Sequence, residues 1–138
     1  MESKKNRIVV SLLRLGSFLV RTGNRLVVEH GLNQQQFVVL KEIQASEPVS
    51  AQEICSKLLH EKSNLSKIVN KLVDTGLVEK SDDPLDGRST LLHVSEKGSE
   101  VVKTCMGIFD SWNQEWLAKL TDQELEQAVN LLDKLKRG

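Results

Sequence analysis

The sequence has few of the residues that break or cross-link a chain: two prolines, Pro48 and Pro84, eight glycines and two cysteines, Cys55 and Cys105, among 138 residues. Two cysteines make no disulfide framework for a small secreted fold. No stretch is Ser/Gly-rich, repetitive or long enough to act as a linker, which predicts a single domain over residues 1–138. One core at this length buries roughly two thirds of the unfolded chain's surface, so a two-domain enzyme is not expected. Long apolar runs are also missing. Stretches such as Ile8 to Val10 fall far short of the roughly 20 residues that span a bilayer, and no apolar segment follows the basic start as in a signal peptide. The expectation is a cytoplasmic protein with no membrane partner. Charge of one sign is lacking too, since 19 Lys and Arg face 19 Asp and Glu. At first sight that balance speaks against nucleic acid, whose partners usually carry excess cations. With 39% hydrophobic residues the chain still has ample material for a core.

What the sequence does have is helical periodicity. Ile8, Leu12, Leu15, Leu19 and Leu26 recur at steps of four and three, with Thr22 in the one vacant position, and predict a first helix ending near His30-Gly31. Asn33, with Gln36 three residues on, caps a second helix bearing Phe37, Leu40 and Ile43, and Pro48 closes the gap after it. Ser50-Ala51-Gln52-Glu53 is a capping box for a short third helix with Ala51, Ile54 and Leu58. After Leu59-His60, a fourth helix carries Leu65, Ile68, Val69, Leu72 and Val73 and stops at Gly76. Leu77 to Ser81 and Ser89 to Ser95 read as two strands flanking the turn formers Asp82 to Gly87. Ser95 can cap a long fifth helix with Val101, Cys105, Ile108, Trp112 and Trp116 in line. A second capping box, Thr121 to Glu124, opens a last helix with Leu125, Val129, Leu132 and Leu135. The fold class expected is mainly α with a small two-stranded antiparallel wing.

Catalysis finds no support. There is no Gly-rich phosphate loop, nucleophile elbow or paired-carboxylate motif, and His30, His60 and His93 are isolated. Without His-x-x-x-His or Cys-x-x-Cys, no metal site, cofactor or catalytic residue is expected. A short helix, a turn, a second helix and a hairpin is the order of a winged helix-turn-helix, whose second helix enters the DNA major groove. With its apolar residues turned inward, the fourth helix presents Ser63, Asn64, Ser66, Lys67, Asn70 and Lys71. Asn can pair with adenine N6 and N7, Lys with guanine O6 and N7 or a phosphate, and Ser with a phosphate or a base edge. Any exposed helix face is polar, so the helix alone does not decide. The hairpin adds Asp86-Gly87-Arg88, in which Arg88 can enter the negative minor groove and Asp86 can hold its guanidinium. The alternative is that Arg88 neutralises Asp82, Asp83 or Asp86 at the surface.

Here the residues reach a family. The run Val49 to Gly98 resembles the DNA-binding core of the MarR family of bacterial transcriptional regulators, and the helical order of the whole chain is similar to theirs. The resemblance rests on Leu65-Ser66-Lys67, on Gly76-Leu77-Val78-Glu79-Lys80, on Asp86-x-Arg88, and on Leu92-His93-Val94-Ser95-Glu96-Lys97-Gly98. It implies a recognition helix over about Glu61 to Thr75 and a minor-groove role for Arg88. Where the family usually has Thr-Arg this chain has Ser66-Lys67, Gly87 replaces a frequent second wing arginine, and Lys80 stands where Arg is usual. Lys67 lacks the planar fork of Arg.

The apolar stripes of the first, fifth and last helices need another surface, and a second copy is the natural one. The resemblance implies a symmetric homodimer built from about 1–30 and 99–138, with about 33–98 as the DNA-binding lobe, acting as a repressor on a pseudo-palindromic operator. It further implies release by a small aromatic or anionic effector, which Arg14, Arg21, Arg25 and His30 can meet. The double-stranded DNA reading has two rivals. One is a winged helix used for protein association, favoured by the acidic wing. The other is a thiol or metal sensor using Cys55, Cys105 or Glu29 with His30, although both cysteines read better as small buried hydrophobes. His60, just before the recognition helix, reads as a phosphate contact or a solvated residue. The zero net charge is unevenly spread. Residues 1–25 hold Lys4, Lys5, Arg7, Arg14, Arg21 and Arg25 against Glu2 alone, while 57–90 is neutral. Balance therefore does not exclude DNA; it predicts modest non-specific affinity, concentrated in one helix face, one wing arginine and the basic N-terminus.

Overall fold

Ser3 starts the first helix, its hydroxyl accepting the Asn6 N–H at 3.1 Å, and α1 runs over Lys4–Val27 in the computed structural model, which describes residues 2–58 and 61–136. A 3-10 turn, Val28–His30, follows, and Gly31 takes the left-handed conformation (φ 76) that ends it. The second helix, α2 (Gln34–Ser46), has the expected reciprocal cap: Gln36 N–H donates to Asn33 Oδ1 at 2.8 Å and Asn33 N–H to Gln36 Oε1 at 2.9 Å. A second support comes from α1, because the Gln34 N–H donates to Asn24 Oδ1 at 2.7 Å. These bonds fix the angle at which α2 leaves α1.

The Ser50 box forms as well, with Glu53 N–H donating to Ser50 Oγ at 3.2 Å, and opens α3 (Ala51–Leu58). Leu59 and His60 lie outside the described residues, so the reading of His60 has no structural counterpart. Next come α4 (Lys62–Asp74), closed at Gly76 (φ 80), and the hairpin strands β2 (Val78–Asp83) and β3 (Asp86–Val94). Numbering in chain order makes these the second and third strands because Val49–Ser50 forms β1. The sheet is antiparallel in the order β1-β3-β2, with Val49 opposite Leu92 and Val78 opposite Val94. The wing is thus a hairpin as expected, with a third strand of two residues added. Val49–Ser50 is too short to show an alternation in sequence. The hairpin is also longer than its turn formers suggested, and only Pro84-Leu85 lie between the strands.

Where the wing meets the next helix, α5 (Glu96–Trp116), Ser95 is the connecting residue. It is buried, its hydroxyl donates to the Gly76 carbonyl at 2.6 Å and accepts the Gly98 N–H at 3.0 Å, and its own N–H reaches the Leu77 carbonyl at 3.0 Å. Gly98 sits so close that an added Cβ would collide with the Leu77 carbonyl and approach Val94 Cγ1 at 2.7 Å. Ser95→Ala strands a part-buried carbonyl and a buried helix N–H together, and a loss of about 0.5–2 kcal/mol is expected in urea unfolding. A change below the error of that measurement would contradict this role of Ser95 at the junction.

The chain divides into two compact units, Met1–Met106 and Gly107–Gly138. In the first, Phe37, Val39, Leu40 and Ile43 of α2 are buried with Ile54 of α3, Leu65 and Leu72 of α4, Val78 and Leu92 of the sheet, and Cys105. In the second, Trp112 and Trp116 stack with ring centroids 5.2 Å apart, and the last helix, α6 (Asp122–Lys136), is opened by its predicted box, Glu124 N–H donating to Thr121 Oγ1 at 3.1 Å. Among the described residues, much of the apolar stripe on each terminal helix is exposed. The seam of α1 is buried at Thr22 and half-buried at Leu19 and Leu26, but Ile8 is 55% and Leu12 41% exposed; on α6 Val129, Leu132 and Leu135 are all exposed. Among the described residues no helix is long and apolar enough to cross a membrane.

Candidate nucleic-acid interface

The division of α4 into two faces follows its periodicity. Leu65, Ile68, Val69 and Leu72 are buried and Val73 half-buried, while Ser63, Asn64, Ser66, Lys67, Asn70 and Lys71 are all exposed. The structure therefore brings the six residues expected from sequence onto one open face. Among the described residues neither Lys67 nor Lys71 is in an ion pair, so their charge is available to a partner. Lys62, the first residue of α4, is exposed beside them and was not among the expected contacts, although it falls within the expected helix. Glu61 caps the helix without a side-chain hydrogen bond. The face is cationic along the helix and its acids, Glu61 and Asp74, stand at the two ends.

The wing shows a different use of Asp86 from the one expected. Its carboxylate does not hold the Arg88 guanidinium. It accepts the Arg88 backbone N–H at 3.0 Å and the Ser89 hydroxyl at 3.2 Å, the local bond that a side-chain carboxylate makes two residues along the chain. Asp83 does the same for the Leu85 N–H at 2.9 Å. Two of the three wing aspartates thus shape the backbone. Arg88 is exposed and, among the described residues, is in no ion pair with Asp82, Asp83 or Asp86. Leu85 stands at the tip, 95% exposed. At the base of the wing His93 and Glu79, opposite each other on β3 and β2, meet at 3.1 Å.

A model of the MarR family matches residues 30–89, the stretch that holds α2, α3, α4 and most of the wing. The HTH-type transcriptional regulator YkoM of Bacillus subtilis is 31% identical over 106 residues, 77% of this chain and 69% of that protein. The chain belongs to the MarR family. It is a DNA-binding transcriptional regulator of winged-helix type. Solved MarR structures share its fold across nearly the whole chain. A MarR family regulator from Listeria monocytogenes in complex with 26mer DNA superposes with a TM-score of 0.87 at 21% identity, covering 99% of this chain and 89% of that one. CouR from Rhodococcus jostii RHA1, bound to p-coumaroyl-CoA, gives 0.86 at 20% identity, covering 99% and 96%.

The two cysteines differ in their surroundings in this MarR chain. Cys105 is fully buried on α5, and burial pushes its thiol above the usual range, away from the reactive thiolate. Cys55 is half-buried on α3. Among the described residues no three His, Cys, Asp or Glu gather as a metal site.

Proposed function

We propose that the chain is a homodimeric repressor that reads a pseudo-palindromic operator. Ser63, Asn64, Ser66, Lys67, Asn70 and Lys71 lie in the major groove and Arg88 in the minor groove, with Asp86 holding the wing backbone that presents Arg88. The observation that carries this reading is the open, hydrogen-bonding and cationic face of α4, backed by a largely buried apolar face. Residues 33–98 form the reading lobe; 1–30 and 99–138 supply the dimer contacts. The exposed seams on α1 and α6 support that assignment, since contiguous apolar surface of this kind marks an association site. CouR holds an aromatic acyl-CoA, which supports release of this chain by a small aromatic or anionic effector.

The test is enrichment of bound duplexes from a random DNA pool, with the mass of the complex measured by sedimentation. The expected outcome is a palindrome with half-sites about one helical turn apart and two chains per site. A single asymmetric half-site bound by one chain would refute the dimer, and failure to enrich any sequence would refute specific reading. A wing used for protein association remains the second reading, favoured by Leu85 at the tip beside the exposed Asp82. It predicts no enriched sequence.

A further inference from the structure

The charge on α1 is arranged in a way that does nothing for the helix itself. Its ionisable residues are Lys4, Lys5, Arg7, Arg14, Arg21 and Arg25, six cations with no acid. The first turn, where amide dipoles favour carboxylates, holds none and opens instead on Lys4 and Lys5. Lys4 and Arg7 are three residues apart and Arg21 and Arg25 four, spacings at which like charges on a helix repel. A face kept only for solubility would mix the two signs.

Helical geometry lines these residues up. Arg7, Arg14, Arg21 and Arg25 fall within roughly 40° of one another and span about 27 Å of helix axis. All four are exposed and, among the described residues, none is in an ion pair. Of the exposed apolar residues of α1, Leu12 lies roughly opposite this row, while Ile8 and Leu15 flank it at roughly 80–140°. Arg7 shares a shallow hollow with Ile8 and Leu12, and Arg21 shares one with Leu12 and Val20, so a second copy on that seam would border the row at those two residues. Meanwhile the segment 57–90, which holds the reading helix and most of the wing, has no net charge. A duplex binder draws much of its affinity from neutralising phosphates, and α1 is the main concentration of positive charge in this chain.

We infer that Arg7, Arg14, Arg21 and Arg25 form a sequence-independent contact surface for the nucleic-acid backbone, separate from the groove-reading face of α4. Arginines about 10, 10 and 6 Å apart along a straight row match an extended polyanion better than a compact anion, which engages one or two guanidinium groups. A lipid surface fits less well. A helix lying on a bilayer buries its apolar side and turns the opposite side to water, which would aim this row away from the headgroups. The inference does not rest on the operator reading, because the probe is duplex of random sequence.

The experiment measures binding of a random duplex by fluorescence anisotropy between about 50 and 200 mM salt, for the full chain and two fourfold variants, all Arg→Gln or all Arg→Lys at these positions. The Gln variant is expected to lose at least about tenfold in affinity at the lower salt, with a log–log salt slope shallower by about 0.9 for each phosphate it no longer neutralises. The Lys variant should keep most of the affinity. If the fourfold Gln variant does not fold by circular dichroism, Arg7→Gln/Arg14→Gln and Arg21→Gln/Arg25→Gln should each show about half the change in slope. A wild-type affinity that rises with duplex length places the arginine row on flanking DNA. Retention of a labelled duplex by an immobilised one, abolished in the Gln variant, places it on a second duplex. Both outcomes support the inference. Unchanged affinity and slope in the Gln variants would overturn it, as would equal losses in the Gln and Lys variants. Loss of binding to phosphatidylserine vesicles with duplex binding intact would overturn it in favour of lipid.

Discussion

Leu72→Ala is expected to destabilise the chain by about 2–5 kcal/mol, while Lys71→Ala beside it stays within about 0.5 kcal/mol. Leu72 is 1% exposed on the inner face of α4, so removing its terminal carbons opens a cavity in the core shared with α2, α3 and β2. Lys71 is exposed, and among the described residues no ion pair holds its side chain. Urea unfolding of both variants checks the pair. The contrast matters more than either value, because a helix rotated by one residue would exchange the two results.

The second large effect is on binding. Lys67→Ala and Arg88→Ala are each expected to weaken operator binding by about 1–3 kcal/mol if each contacts a base edge, without loss of stability. The two lie on separate elements, α4 and β3, so the double variant should show roughly the sum. Lys67→Arg should keep or improve affinity, since the guanidinium fork can engage guanine O6 and N7 together. Titrations of the enriched duplex measure all four. Unchanged binding in both Ala variants would remove these residues from the interface. If only Lys67→Ala weakens binding, the helix enters the groove and the wing does not.

Much of this was legible in the sequence wherever the signal was local. The caps at Asn33, Ser50 and Thr121 each use a side chain three residues from its partner, and all three form in the structure. The inner and outer faces of α4 follow from helical period alone. Signals that depend on distant partners were not legible. Val49–Ser50 becomes a strand only because β3 lies alongside it, and no two-residue pattern announces that. Asp86 looked like a partner for a cation, but hairpin geometry gives its carboxylate a backbone N–H and a serine hydroxyl first. The sequence showed the seam of α1 and its need for another surface, but not which part of it packs within the chain. Only its C-terminal part, near Thr22 and Val27, packs within the first unit, while Ile8 and Leu12 are exposed. The overall charge balance misled in the opposite direction, because zero is the sum of a strongly basic α1 and acidic stretches elsewhere.

Methylation interference on the enriched duplex puts the placement of α4 and the wing to the sharpest test. Guanine N7 lies in the major groove and adenine N3 in the minor groove, so one reagent that methylates both reports on the two grooves separately. N7 interference is expected within each half-site, where α4 lies, and N3 interference beside it, where Arg88 reaches. Loss of the N3 signal in Arg88→Ala, with the N7 signal retained, should follow. Tight binding that methylation at neither position disturbs would contradict the seating of the helix and the wing in the grooves.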